Sequence, residues 1–328
     1  MLFGILAGVA WALETITLGA ALSMTPFVST AQAVLLAPFV GTFLHDVCSA
    51  LWACLYNGVR GRLPDTLRAL KTRSGRFVAL AAVIGGPVGM TGYVLAVANM
   101  GASVGAVASA VFPAIGAVLA CIFLKEKMRW YRWIFLLLSL LGVYCLSRSP
   151  DLSIRNIGLG VLGALMCAFG WGIEAVVIAK CVQDDAVTHE AALQIRQTTS
   201  ALVYGAVILP LMKGWGFAVS LFRGTGRLLP VIALASLFAT ASYLFYYRAI
   251  SRIGAAKSMA LDSTYCAWAV IFSILFLGRK ELLSPVTLLC TAAVLCFGVL
   301  AAADFRELFG RKKQKTNPER VKNFSEKT

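Results

Sequence analysis

Long apolar runs alternate with short polar and basic clusters along the chain, and the runs have the length a bilayer demands. About 20 mostly apolar residues cross about 30 Å of hydrocarbon as a helix. Such runs fall near 2–20, 33–56, 77–98, 102–124, 132–148, 157–179, 195–212, 228–249, 255–277 and 284–303, with the start of the second placed only within 21–37. They are continuously apolar rather than alternating, which predicts helices and not barrel strands. Hydrocarbon leaves the backbone no water to bond, so spanning segments must satisfy themselves. The expected fold is an all-α integral membrane protein with ten transmembrane helices.

Composition agrees with the pattern. Of 328 residues, 59% are hydrophobic and 14% charged, and the mean hydropathy is +0.80. A soluble domain of this length carries charge on about a quarter of its residues. The first run lacks a basic leader region and a small-residue cleavage site, and it contains Glu14, so it reads as a retained helix. The nine cysteines lie mostly inside apolar runs with no C-x-x-C pair. With only two histidines, neither a zinc site nor a disulfide framework is expected.

The net charge of +15 is distributed by side. If the N-terminus is cytoplasmic, the inside segments 57–76, 125–132, 180–196, 248–257 and the tail after 303 hold 23 of the 30 Lys and Arg residues, against 7 outside. The positive-inside rule therefore predicts cytoplasmic termini, and the short loops suit a cell (inner or plasma) membrane. The basic loop 60–76 and the tail 306–328 are read as cytoplasmic retention and attraction to anionic membrane lipid, not as a nucleic-acid site. The polar tail is expected to be disordered.

The two halves correspond. Tyr93, Ala96, Gly101 and Ala102 match Tyr246, Ala249, Gly254 and Ala255 at an offset of 153. Trp11-Ala12-Leu13-Glu14 matches Trp171-Gly172-Ile173-Glu174, and Ser49-Ala50-Leu51 matches Ser200-Ala201-Leu202, which sets His45 against Arg196. Five spans per copy is odd, so the second copy enters from the opposite side. The division is a five-helix repeat over 1–150, an inverted one over 151–305, and the basic tail 306–328. Inverted pairs are a recurrent architecture of secondary transporters, which place the substrate between the copies.

The stretch from Tyr93 to Glu126 resembles the signature of EamA-type transporters in the drug/metabolite transporter superfamily: Tyr93 and Ala96, a Gly101-Ala102 junction, a helix containing Pro113, and Leu124 followed by Glu126. The second copy departs from it. Cys266 stands for the proline and Arg279 for the glutamate, with Glu281 two residues later. The Trp-Gly opening is present at Trp171-Gly172 and less fully at Trp11-Ala12. The resemblance spans about 3–303 and implies an exporter or exchanger of amino acids, drugs, nucleotide sugars or other metabolites. It also implies a cavity lined by helices 1–4 and 6–9, with helices 5 and 10 peripheral and available for a homodimer contact. It does not specify a substrate.

Ionisable groups inside spans cost about 2.5–3.5 kcal/mol each at the bilayer centre and need a reason. Glu14 lies deep in the first run with Trp11 on its face, and Trp171 and Glu174 repeat that arrangement. A carboxylate beside an aromatic wall suits a cationic group or proton exchange; the plainer alternative is an interhelical hydrogen bond. His45 and Asp46 are adjacent, about 100° apart on a helix, so one could reach a cavity and the other a neighbouring helix. A late start of the second helix would instead leave both near the surface. Asp262 and Tyr265, and Tyr93 with its counterpart Tyr246, complete the expected substrate-binding set of Trp11, Glu14, His45, Tyr93, Trp171, Glu174, Tyr246, Asp262 and Tyr265. Tyr243 and Tyr247 are further candidates. Small residues over 101–110 read as close helix packing, and Pro87 and Pro113 as sites of bending.

No Walker A, Gly-x-Ser-x-Gly or His-Glu-x-x-His sequence occurs. The expectation is a secondary transporter, without cofactor or metal, of small metabolites such as amino acids, amines or drugs. A lipid-linked carrier or flippase is the first alternative; a membrane-embedded enzyme or a receptor is the second.

Overall fold

The computed structural model describes residues 1–100, 102–147, 155–183, 187–224 and 226–303. The tail expected over 306–328 lies outside the described residues, as do the side chains at 101–108 of the small-residue stretch. Each apolar run of the sequence is helical. We label the segments α1 (Leu2–Leu22), α2 (Ala31–Val59), α3 (Arg73–Met100), α4 (Ala102–Phe123) and α5 (Trp130–Leu146). They continue as α6 (Ile157–Cys181), α7 (His189–Leu211), α8 (Leu228–Ile253), α9 (Ala255–Leu277) and α10 (Pro285–Ala302). Among the described residues seven of these are long and apolar enough to span a membrane, and α7 makes an eighth if it is joined with the helix that follows it at a 117° bend. At 17 residues, α5 is shorter than that standard.

Threonine caps fix two helix starts: α2 begins at Ala31, within the expected range, and α7 at His189, six residues before the predicted 195. Thr30 caps α2 by accepting from the Ala33 N–H at 3.0 Å, and Thr188 caps α7 by accepting from the Ala191 N–H at 3.2 Å. The first turns of α7 carry Glu190, Gln194, Arg196 and Gln197; with the predicted span starting at 195, the first two fall in a loop by hydropathy and Arg196 is counted with the segment 180–196. Arg196 and Gln197 are buried there, so Arg196 leaves the cytoplasmic loop count and becomes an intramembrane charge. The direction of the charge asymmetry is unchanged.

Packing brings α1 against α8 and α9, and α6 against α3 and α4. Between these groups α2 packs on α7 and α8, while α5 and α10 pair at the side. The α3–α6 contact is backbone on backbone: a Cβ added at Gly92 would meet the Gly163 carbonyl at 2.7 Å, and one at Gly163 would meet the Ala96 amide at 2.6 Å. Lipid supplies no hydrophobic drive between helices, so such close van der Waals contact is what holds them.

Three helices are irregular near the centre. In α3 the turn Ile84–Val88, containing Pro87, is a π-helix, and Tyr204–Ile208 is another in α7. The third, α9, is interrupted after Asp262: the freed carbonyls of Ala260 and Leu261 accept from the Ser263 and Thr264 hydroxyls at 2.9 and 2.6 Å. Irregular backbone at membrane depth is tolerated where protein or a cavity satisfies it.

Candidate functional site

The irregular turns of α3 and α9 border a central cavity of about 180 Å³. Its acidic lining comes from four helices: Glu14 of α1, Asp46 of α2, Glu174 of α6 and Asp262 of α9. Its basic lining is His45 and Arg196. All six residues are buried.

Each glutamate has a base beside it, and only the arginine is bonded to its partner. Arg196 donates from Nε to Glu174 Oε1 at 2.8 Å and from Nη2 to Oε2 at 3.3 Å, a two-point contact that fixes both side chains. His45 Nε2 lies 3.6 Å from Glu14 Oε1, while its Nδ1 bonds Asp46 Oδ1 at 3.0 Å. The two correspondences that set Glu14 against Glu174 and His45 against Arg196, at offsets of 160 and 151, together align two acid–base pairs.

Across the α2–α7 contact the exchange is reciprocal. Ser200 donates to Asp46 Oδ2 at 2.6 Å, and Gln197 donates to Ser49 Oγ at 2.8 Å. The offset that matches Ser49 with Ser200 also matches Asp46 with Gln197. Arg196 Nη1 donates to Gln197 Oε1 at 2.7 Å, and Ser49 bonds Thr240 of α8 at 2.8 Å. One chain of hydrogen bonds therefore ties α6, α7, α2 and α8 together.

Aromatic rings form the rest of the wall. Trp11 and Trp171 both contact Phe112, at ring separations of 6.0 and 5.8 Å. The Trp171 indole donates to the carbonyl of Gly85 on the π turn at 2.9 Å. A Cβ at Gly85 would collide with the Glu174 carboxyl group, so glycine there is a condition for the carboxylate to reach the cavity. Tyr243, Tyr246 and Tyr247 of α8 close the opposite wall, with the Arg196 guanidinium 4.7 Å from the Tyr243 ring centroid.

Of the nine residues expected from the sequence, Trp11, Glu14, His45, Trp171, Glu174, Tyr246 and Asp262 line this cavity. Tyr265 and Tyr93 stand one layer back: Tyr265 stacks on Trp11 at 3.8 Å and Tyr93 on Trp171 at 6.3 Å. The alternative of His45 and Asp46 near the surface fails, because α2 begins at Ala31 and places both more than three turns inside. Asp46 touches the cavity and the neighbouring α7 together, through its two oxygens. Arg196, Gln197 and Ser200 were not selected from sequence. Their signal was present in the repeat offset and in the i, i+1, i+4 spacing of polar residues on one face of α7.

The profile of the EamA-like transporter family matches residues 1–148 and again 158–302. The chain is 26% identical over 314 residues to Protein LicB of Haemophilus influenzae, covering 93% of this chain and 97% of that one. A solved crystal structure of a protein with 16% sequence identity superposes at a TM-score of 0.68 over 94% of this chain and 98% of that chain, which is a likeness of fold. A polytopic helical protein with two successive matches to one transporter profile is thereby placed: the chain is a membrane protein of the EamA-like transporter family, in the drug/metabolite transporter superfamily.

Proposed function

We propose that this protein is a secondary transporter, an exporter or exchanger, of a small organic cation such as an amine. In this reading residues 1–150 and 151–305 are two inverted five-helix repeats that together make ten spans with both termini cytoplasmic. They rock around the central cavity to expose it to one side and then the other. Supporting the repeat, the contacts of α1 with α8 and α9 have counterparts in those of α6 with α3 and α4. The observation that carries the substrate class is the lining itself: four carboxylates face one arginine and one histidine, inside a wall of tryptophan, phenylalanine and tyrosine rings. Aromatic faces attract cations through their quadrupole, by about 0.5–2 kcal/mol each, and more strongly when water is excluded. At about 180 Å³ the cavity is smaller than the roughly 300–1,000 Å³ of drug-sized pockets, which favours a compact metabolite.

The test is flux through purified protein in proteoliposomes, using a panel of primary amines, amino acids, quaternary ammonium ions and small anions, with and without a pH gradient. Saturable movement of cations in preference to anions and uncharged amino acids is the expected result. Stimulation by an opposing proton gradient would identify proton exchange. Equal flux of anions, or none of any soluble compound by folded protein, would reject the cation reading.

A further inference from the structure

The cavity's carboxylates are not equivalent. Glu174 is matched by Arg196 at 2.8 Å and Glu14 by His45 at 3.6 Å. Asp46 uses both oxygens, one on His45 and one on Ser200. Asp262 differs from all three. It is 6% exposed and lines the cavity, yet its Oδ1 has no hydrogen-bond partner. Among the described residues no Lys, Arg or His lies within ion-pair distance of it. The nearest basic residue on its own helix, Lys257, is five positions back and so about 140° around the axis. The hydroxyls of Tyr246 and Tyr247, on the same wall of the cavity, are likewise buried without a partner.

Buried polar groups are almost always bonded, and each exception needs an explanation such as an absent ligand. An unpaired carboxylate is the most costly exception, because it gives up its hydration and gains no counter-charge. The break in α9 after Asp262 is a second departure from regular structure at the same place. From these observations we infer that Asp262 is the counter-ion of the transported cation, and that the unpartnered Tyr246 and Tyr247 hydroxyls, which line the same cavity, add polar contacts to the site. Glu174, bonded at two points to Arg196, and Glu14, with His45 3.6 Å away, hold the architecture of the cavity and do not read the substrate charge. This assignment rests on the cationic-substrate reading above and sharpens it to one residue.

The experiment compares two probes of similar shape: tetramethylammonium, and tert-butanol, which is uncharged. Their binding to the full-length protein in detergent is measured by saturation-transfer NMR, with thermal unfolding as a check on folding. Wild type is expected to prefer the cation, and Asp262→Asn to reduce that preference at least tenfold by weakening tetramethylammonium while leaving tert-butanol unchanged. Tyr246→Phe should weaken either probe by no more than a few-fold. If the asparagine variant does not fold, Asp262→Glu carries the test: a carboxylate displaced by one methylene should lower tetramethylammonium affinity several-fold without changing tert-butanol. A cation preference undiminished in Asp262→Asn, or in Asp262→Glu if that variant carries the test, would overturn the assignment while leaving cation transport standing. No preference for the cation in wild type would remove the cationic-substrate reading and this assignment together.

Discussion

Arg196 and Glu174 form a two-point ion pair between α7 and α6, at 2.8 and 3.3 Å, with both residues buried. Removing one member of such a pair leaves an uncompensated charge, at a cost of about 3–5 kcal/mol, whereas removing both costs far less. Arg196→Gln is therefore expected to lower the unfolding midpoint in detergent sharply, and Arg196→Gln with Glu174→Gln to recover most of the loss. A double variant no more stable than the single one would show that the pair is not what stabilises this contact.

The α3–α6 contact predicts a different failure. Gly92 and Gly163 let the two backbones touch, with no room for a side chain on either. Gly163→Leu should displace α6 from α3 and yield little monodisperse protein on size-exclusion chromatography. Gly19→Leu, at a position where an added Cβ meets nothing within 4 Å, should purify normally.

Glu126 ties the two halves at one end of the fold. Its carboxylate accepts from the Ala255 and Ala256 amides at 2.6 and 3.0 Å, at the N-terminus of α9. The preceding Gly254 has φ +88°. An anionic group satisfying orphan amides at a helix start contributes about 1–2 kcal/mol. Glu126→Ala should cost that much in stability. Gly254→Ala should cost a comparable amount, through left-handed strain and a Cβ 2.9 Å from the Glu126 carboxylate. Unchanged unfolding midpoints in both would argue against this tether.

Glu190 closes the same end by other means. Its carboxylate lies 3.3 Å from Arg248 of α8 and 3.5 Å from Arg62, just past α2, and Arg248 also donates to Tyr56 at 3.3 Å. Both arginines are partly exposed, so each pair is worth about 0.2–1 kcal/mol after solvent screening. Glu190→Gln should speed hydrogen exchange in the last turns of α8 by a few-fold and leave the first turns unaffected. Uniform acceleration along α8 would instead indicate general destabilisation.

Much of the site was legible because its signals are local. Trp11 with Glu14, and Trp171 with Glu174, declare themselves by helical spacing within an apolar run, where a charge is expensive. The helices follow from run length, which the bilayer fixes, and the proposal of two repeats rests on short motifs present in both halves. The start of α7 was misplaced because a polar face turned inward looks, to a hydropathy window, like a loop. Arg196 fell into that segment and was counted as a topogenic charge. Tyr93 and Tyr265 were expected in the binding set; the structure stacks them on Trp171 and Trp11, outside the residues that line the cavity, a placement that spacing along a helix cannot report.

The sequence by itself determined the membrane environment, the helical class, the family and most of the charged residues of the cavity, because hydrocarbon constrains composition residue by residue. Only the tertiary structure decided which charges are already answered. Glu14, Glu174 and Asp262 look alike as acidic residues in apolar runs. Arg196 reaches Glu174 from 22 residues further along the chain, and His45 approaches Glu14 across α1 and α2, while among the described residues no basic group pairs with Asp262 and its Oδ1 has no hydrogen-bond partner. Pairing depends on where helices cross, and crossings are set by side-chain contacts between segments distant in sequence, so no pattern within one segment can report them.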